Sequence, residues 1–279
     1  MRIGIRAHDM EAVPLAELAQ NIHNKGFLCT QLALKKAIHN IHINPEAMTP
    51  GMACYIKDVF QTNKVDIAVL GCYLNLGNPD SFLLNQIMET YKTHIRFARL
   101  LDCGMVGTET GALNIKYTYD EANHTKKALN VFIENLKRVV EYGEKMGVII
   151  GIEPVFKHIV CNIERTELVI RTINSPNLQI IFDPVNLLSI DNYKEQQEII
   201  TGAFQLFGKD IAVIHAKDFL IEGKTLTAVP SGQGSLDYEL LMGLIKKYKP
   251  YIHVLLENTS PDNAIKTREF VQQTYRNIT

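Results

Sequence analysis

Residues 178–189 read LQIIFDPVNLLS. Ile180, Ile181 and Phe182 form an apolar run without alternation, which stops at Asp183 and Pro184, with Asn186 close behind. A strand with one wet face alternates polar and apolar residues; a strand covered on both faces does not. The segment therefore predicts an interior strand of a parallel sheet. That strand hands a carboxylate to whatever lies beyond its C-terminal end.

Seven other segments have strand character: 2–7 (RIGIRA), 27–34 (FLCTQLAL), 66–74 (DIAVLGCYL), 105–110 (MVGTET), 147–154 (GVIIGIEP), 211–217 (IAVIHAK) and 251–257 (YIHVLLE). Between them lie longer stretches, such as 81–104 and 125–147, whose apolar residues recur at three- and four-residue steps. Thr49-Pro50, Asn78-Pro79 and Ser260-Pro261 each offer a capping oxygen followed by proline at a first helical position. Gly26, Gly104 and Gly147 fall where helices should stop. Eight strands, each followed by a helix, predict an α/β fold: a (β/α)8 TIM barrel forming a single domain over residues 1–279. A doubly wound open sheet is the competitor, but the first strand runs into RAHDM rather than a G-x-G-x-x-G turn.

The composition is 46% apolar and 21% charged, with a formal net charge of −1. That balance gives no bulk attraction to nucleic acid or to an anionic membrane. No run approaches the ~18 apolar residues of a membrane span, and the N-terminus MRIGIRAHDM lacks the apolar segment of a secretion signal. Five cysteines, an odd number without C-x-x-C spacing, read as reduced, mostly buried thiols. The expected setting is cytoplasmic.

In a barrel of this kind the chemistry sits at the C-terminal ends of the strands. The fifth strand ends in Glu153, the sixth in Asp183 and the eighth in Glu257, and the seventh carries His215 near its end. The two-residue strand period places Glu153 in phase with Gly151 and Ile149, and Asp183 with Ile181 and Gln179. It places His215 in phase with Val213 and Ile211, and Glu257 with Leu255. If those partners fill the barrel, the four polar groups crown it. Three carboxylates and an imidazole suit one divalent cation: Mn²⁺, Mg²⁺ or Co²⁺, with Zn²⁺ also compatible. Without a cation, three neighbouring carboxylates would repel one another and take up protons.

These stretches resemble a known group. IIGIEPV around Glu153, IIFDPVN around Asp183, IAVIHAKD around His215, SGQGSLDY (231–238) and VLLEN around Glu257 are similar to the xylose-isomerase-like TIM barrels. Within these, the likeness is to the sugar phosphate isomerase/epimerase branch, which includes ketose 3-epimerases, hydroxypyruvate isomerase, inosose dehydratase and dehydroshikimate dehydratase. The resemblance runs through essentially the whole chain. It implies that Glu153, Asp183, His215 and Glu257 bind one divalent metal, often Mn²⁺, and that Glu153 and Glu257 move protons on opposite faces of a sugar. The implied activity is a divalent-metal-dependent isomerase or epimerase of a small ketose or related polyol ketone, working by proton abstraction to a metal-stabilised enediolate. Loss of a β-hydroxyl from the same intermediate would make the enzyme a dehydratase. Many family epimerases carry Asp-x-x-His on the sixth strand; here the run is Asp183-Pro184-Val185-Asn186. Asn186 can hydrogen-bond a hydroxyl but cannot titrate near neutrality.

Further substrate-binding candidates are His158, Asn186, Lys217 and Glu109. Two of them have a plainer alternative: His158 as a surface histidine, Lys217 as an ion pair with a neighbour such as Asp218. Arg6 and His8 are rim candidates. His253 sits four residues before Glu257, roughly 13 Å deeper, and reads as structural. The SGQGS loop offers backbone N–H groups for a phosphate, or simply shapes a turn. The expected partner is a small-molecule sugar, with a homodimer as a candidate assembly and with no nucleic acid or membrane. An apurinic-site endonuclease would need a three-metal cluster with more ligands at strand ends. A non-enzymatic sugar-binding barrel would not need the complete quartet.

Overall fold

The computed structural model describes residues 1–278. The chain runs β1 (Arg2–Arg6), α1 (Leu15–Asn24), β2 (Cys29–Leu32), α2 (Leu34–Ala37), α3 (Pro50–Thr62), β3 (Asp66–Gly71), α4 (Ser81–Leu100), β4 (Met105–Glu109) and α5 (Lys126–Met146). It continues β5 (Ile149–Glu153), α6 (Ile163–Ile173), β6 (Leu178–Phe182), α7 (Gln196–Phe207), β7 (Ile211–Ala216), β8 (Asp218–Glu222), β9 (Thr225–Val229), α8 (Tyr238–Tyr248), β10 (His253–Leu256) and α9 (Ala264–Asn277). Eight strands close a parallel barrel in the order β1-β10-β7-β6-β5-β4-β3-β2. Every strand segment read from the sequence contributes one of them. The pair β8 and β9 is an antiparallel hairpin outside the barrel. It was not expected, because its alternation follows directly on that of β7.

The barrel has two apolar layers. Cys29, Val69, Met105, Ile181, Val213 and Leu255 fill the interior. The outward faces of the same strands pack against the helices. Ile180, Ile181 and Phe182 are each fully buried, with Ile181 inward and its neighbours outward. Phe182 meets Phe204 and Phe207 of α7 edge-on at 6.1 and 6.3 Å between ring centroids, a favourable aromatic geometry. Gly107 and Gly151 admit the close packing of the interior. A Cβ at Gly107 would lie 2.6 Å from Val69, and one at Gly151 would lie 2.8 Å from the Met105 sulfur.

One phase expectation needs correction. Ile180 pairs with Ile211 and Ile181 with Val213, so Ala212 is an extra residue in β7. The bulge turns Ile211 outward while Val213 and His215 keep the inward phase. Helix starts also differ in part. Thr49 caps α3 as expected, accepting from Met52 N–H ahead of Pro50. Helix α4 is capped by Asp80, which accepts from both Phe82 and Leu83 N–H groups, while Asn78 makes only a turn to Asp80. Helix α9 begins at Ala264, beyond Ser260-Pro261. Gly147 ends α5 in the left-handed conformation (φ 66°); after α4 that conformation falls on Asp102 (φ 62°), not Gly104. The five thiols are free, and only Cys54 is exposed. Among the described residues no helix is long and apolar enough to cross a membrane.

Candidate functional site

Parallel strands in near register bring their C-terminal residues to one level, and here that level is polar. Glu153, Asp183, His215 and Glu257 are at most 4% exposed. One ligand-type atom from each lies within 4.8 Å of the other three. His215 Nδ1 is 3.0 Å from Glu153 Oε1 and 3.0 Å from Glu257 Oε1. Asp183 Oδ1 accepts from the Val185 and Asn186 N–H groups at 2.9 and 3.2 Å. That turn fixes the carboxylate and leaves Oδ2 buried without a hydrogen-bond partner. A buried carboxylate oxygen with no directed hydrogen bond, paired only with the Lys217 ammonium and set beside two glutamates and an imidazole, is the arrangement a divalent cation satisfies. The donor set therefore fits the expected metal.

The electrostatics of the chain alone show the demand for positive charge. Burial opposes a charged imidazole, yet Glu153 and Glu257 outweigh it and push His215 up to about 10. Burial pushes the Asp183 carboxyl up to about 6, against Lys217 and with help from Glu257 and Glu153. Burial would also raise Glu257, but Lys217, His215 and Arg6 hold it well below the usual carboxylate range. Lys217 stays charged because Asp183, Glu257 and Glu153 more than offset its burial.

All four further candidates line one cavity of about 430 Å³ above this cluster: Glu109, His158, Asn186 and Lys217. Their contacts differ from a simple rim. Asn186 Nδ2 donates to Glu153 Oε1 at 2.7 Å, so it orients that glutamate as well as facing the cavity. Lys217 does not pair with Asp218; its Nζ lies 2.8 Å from Asp183 Oδ2 and 2.9 Å from Glu257 Oε2. His158 stacks against Tyr117 at 5.1 Å, and the Tyr117 hydroxyl donates to Glu109 at 3.3 Å. Arg6 and His8 line the same cavity, with Arg6 Nη1 3.2 Å from Glu257 Oε1. His253 lies at the start of β10, opposite Arg2, at the other end of the barrel.

The SGQGS loop has no free cradle for a phosphate. Asp218 fills it: its carboxylate accepts from Phe219, Gly232 and Leu236 N–H groups at 2.9, 3.0 and 2.8 Å. Gln31 is the residue the strand-end reading passed over. It stands one residue before the end of β2, in phase with the interior Cys29, and its Oε1 lies 2.7 Å from His215 Nε2. Applying the two-residue period to the second strand would have found it. Tyr73, hydrogen-bonded to Gln31 Nε2, lies two residues beyond the end of β3 and in phase with the interior Val69.

Fold and site together define a closed β/α barrel with a buried quartet of cation-binding type at its C-terminal mouth. The chain belongs to the xylose isomerase-like TIM barrel family, whose model matches residues 20–274. A curated relative from Mycoplasma pneumoniae, named as a probable L-ribulose-5-phosphate 3-epimerase, UlaE, is 25% identical over 192 residues. That match covers 69% of this chain and 58% of the relative, less than two thirds of its length. Among solved structures, a D-tagatose 3-epimerase-like protein superposes with a TM-score of 0.79 at 18% identity, covering 100% of this chain and 98% of its own. An IolI protein with a bound zinc atom superposes at 0.78 and 18% identity, covering 100% and 99%. These two likenesses are of fold.

Proposed function

We propose that the protein is a divalent-metal-dependent epimerase or isomerase of a small ketose, with Glu153, Asp183, His215 and Glu257 as the metal ligands and Mn²⁺ as the ion. The observation that carries this reading is the pair Glu153 and Glu257. They stand three strands apart around the barrel, and each reaches the same imidazole nitrogen at 3.0 Å. A ketose lying across the mouth meets one carboxylate from each side. The names of the relative and of the D-tagatose 3-epimerase-like neighbour support the same substrate class.

A bound divalent ion supplies Lewis acidity to the ketone oxygen and its neighbouring hydroxyl. The rest is the work of side chains. One glutamate takes the proton from the carbon beside the ketone, giving an enediolate. The other, protonated from solvent once the substrate is bound, delivers its proton from the opposite side, which inverts that carbon, and both glutamates then exchange with solvent to reset the site. Asn186 holds Glu153 in place for this transfer, and Arg6 braces Glu257. Glu109, His158 and Lys217 face the cavity as donors and acceptors for sugar hydroxyls. A dehydratase would need an acid for the departing hydroxyl. Burial holds His158 down to about 4, so it is neutral at pH 7 and a poor acid there.

The test is solvent deuterium exchange. Mn²⁺-loaded protein is incubated in D₂O with a panel of ketoses and ketose phosphates and followed by NMR. Deuterium should enter the carbon next to the ketone of at least one substrate, with the epimer appearing. Loss of water instead would establish the dehydratase, and no exchange with any member of the panel would sink the reading.

A further inference from the structure

Lys217 is the one buried lysine of the barrel mouth, and its position is unusual for a sugar-binding residue. Its side chain is only 7% exposed, whereas Lys36 and Lys157, on the rim of the same cavity, are exposed. Lys217 lines that cavity too, but its Nζ is held by carboxylates. It sits between two carboxylates of the quartet, 2.8 Å from Asp183 Oδ2 and 2.9 Å from Glu257 Oε2.

Those are the oxygens left for a cation. Asp183 Oδ1 is already committed to two backbone N–H groups. Glu257 Oε1 is shared between His215 and Arg6, so Oε2 has Lys217 as its partner. Toward Asp183 Oδ2 the ammonium is close without hydrogen-bond alignment, so it contributes charge there rather than a directed bond. A unit positive charge at that distance in a dry site acts strongly on both the carboxylates and any dication beside them.

We propose that Lys217 is a tethered countercation of the metal centre. It balances Asp183 and Glu257 in the metal-free chain, and it sets metal affinity below what the four ligands alone would give. Its contacts with Asp183 Oδ2 and Glu257 Oε2 compete with the ion for those two oxygens. The inference rests on the metal-site reading above.

The test compares Mn²⁺ binding and metal-free melting of wild-type protein and Lys217→Met, a variant of similar length without the charge. Chelator-stripped protein is titrated with Mn²⁺ by calorimetry and melted with and without the ion. Lys217→Met should bind Mn²⁺ about tenfold more tightly or better, the direction set by removing a repulsive charge beside a dication. Its metal-free form should melt at lower temperature, and Mn²⁺ should restore it by more than it stabilises wild type. Equal or weaker Mn²⁺ binding by Lys217→Met overturns the inference. If the stripped variant does not fold, both proteins are purified with Mn²⁺ and challenged with increasing chelator. Wild type must then release its metal first; release at the same chelator concentration overturns the inference. Absence of Mn²⁺ binding by either protein removes the metal reading and this inference with it, whereas tight and equal binding by both removes this inference alone.

Discussion

Gln31 Oε1 lies 2.7 Å from His215 Nε2 across the barrel mouth. The amide oxygen is an acceptor only, and the amide nitrogen is engaged with the Tyr73 hydroxyl. His215 therefore keeps a proton on Nε2, and the second proton of the charged, metal-free imidazole lies on Nδ1, where a bound metal would replace it. Its Nδ1 is left to face Glu153 and Glu257. Partners of this kind fix the tautomer and orientation of a metal-binding imidazole. Gln31→Met keeps the bulk and removes the acceptor, and should weaken Mn²⁺ binding by about 10- to 100-fold. Gln31→Glu, which restores an acceptor, should recover most of the loss. Calorimetric titration measures both, and ¹⁵N NMR of His215 reads the tautomer directly. An unchanged affinity in Gln31→Met would show that the contact does not position the imidazole.

The two glutamates should separate from the rest of the cavity in kinetics. Glu153→Gln and Glu257→Gln, assayed at saturating Mn²⁺, should each lower deuterium exchange by about 10²- to 10⁴-fold, the usual worth of a positioned acid or base. Asn186→Leu should act more mildly, since it only frees Glu153 from its 2.7 Å hydrogen bond. Its effect should fall on kcat more than on KM. Exchange at wild-type rate in either glutamine variant, with the metal shown to be bound, would remove that residue from proton transfer.

How far the sequence reached depended on whether a feature repeats with a local period. The barrel was legible because each strand is an apolar run bounded by helix signals, and the quartet because strand ends share a level. The position of Lys217 was legible in phase but not in partner. Its neighbour Asp218 is adjacent in sequence, yet β7 gives way to the hairpin at that point and Asp218 is held by the 231–236 loop. Nothing local in the sequence reports a bulge, so Ile211 was placed on the wrong face. Gln31 and Tyr73 act through residues distant in sequence, and Tyr117 reaches Glu109 from an irregular loop. The strand period could place Gln31 at the mouth but not name its partner, and the loop position of Tyr117 carries no periodic signal.

The two histidines of the cavity make stability depend on pH. Burial holds both His8 and His158 down to about 4, from an ordinary 6.5. For His8 the charges of Arg6 and Lys36 push the same way. Between those values the unfolded chain binds the protons and the folded chain does not. Stability should therefore fall as pH drops from about 6.5 toward 4. Melting curves across that window should show a shallower decline in the double variant His8→Gln, His158→Gln than in wild type. A parallel decline in both proteins would mean that these two side chains titrate alike in the folded and unfolded states.

Asp218 gives the sharpest stability test because its role is architectural. It is 1% exposed and serves three backbone N–H groups, from Phe219, Gly232 and Leu236. The loop folds so closely over it that a Cβ at Gly234 would fall 2.2 Å from the Phe219 carbonyl oxygen. Water has little room to replace the carboxylate. Asp218→Ala leaves the N–H groups buried and unpaired, at a cost of about 3 kcal/mol or more, which lowers the melting temperature by roughly 6–12 °C. Asp218→Asn retains one acceptor oxygen and should lose less. Because the same loop leads from the β8–β9 hairpin into α8, the damage should appear as faster amide exchange at 231–238 before the barrel strands open. A variant that melts within a degree of wild type would mean that the loop finds other acceptors, and that Asp218 is dispensable to it.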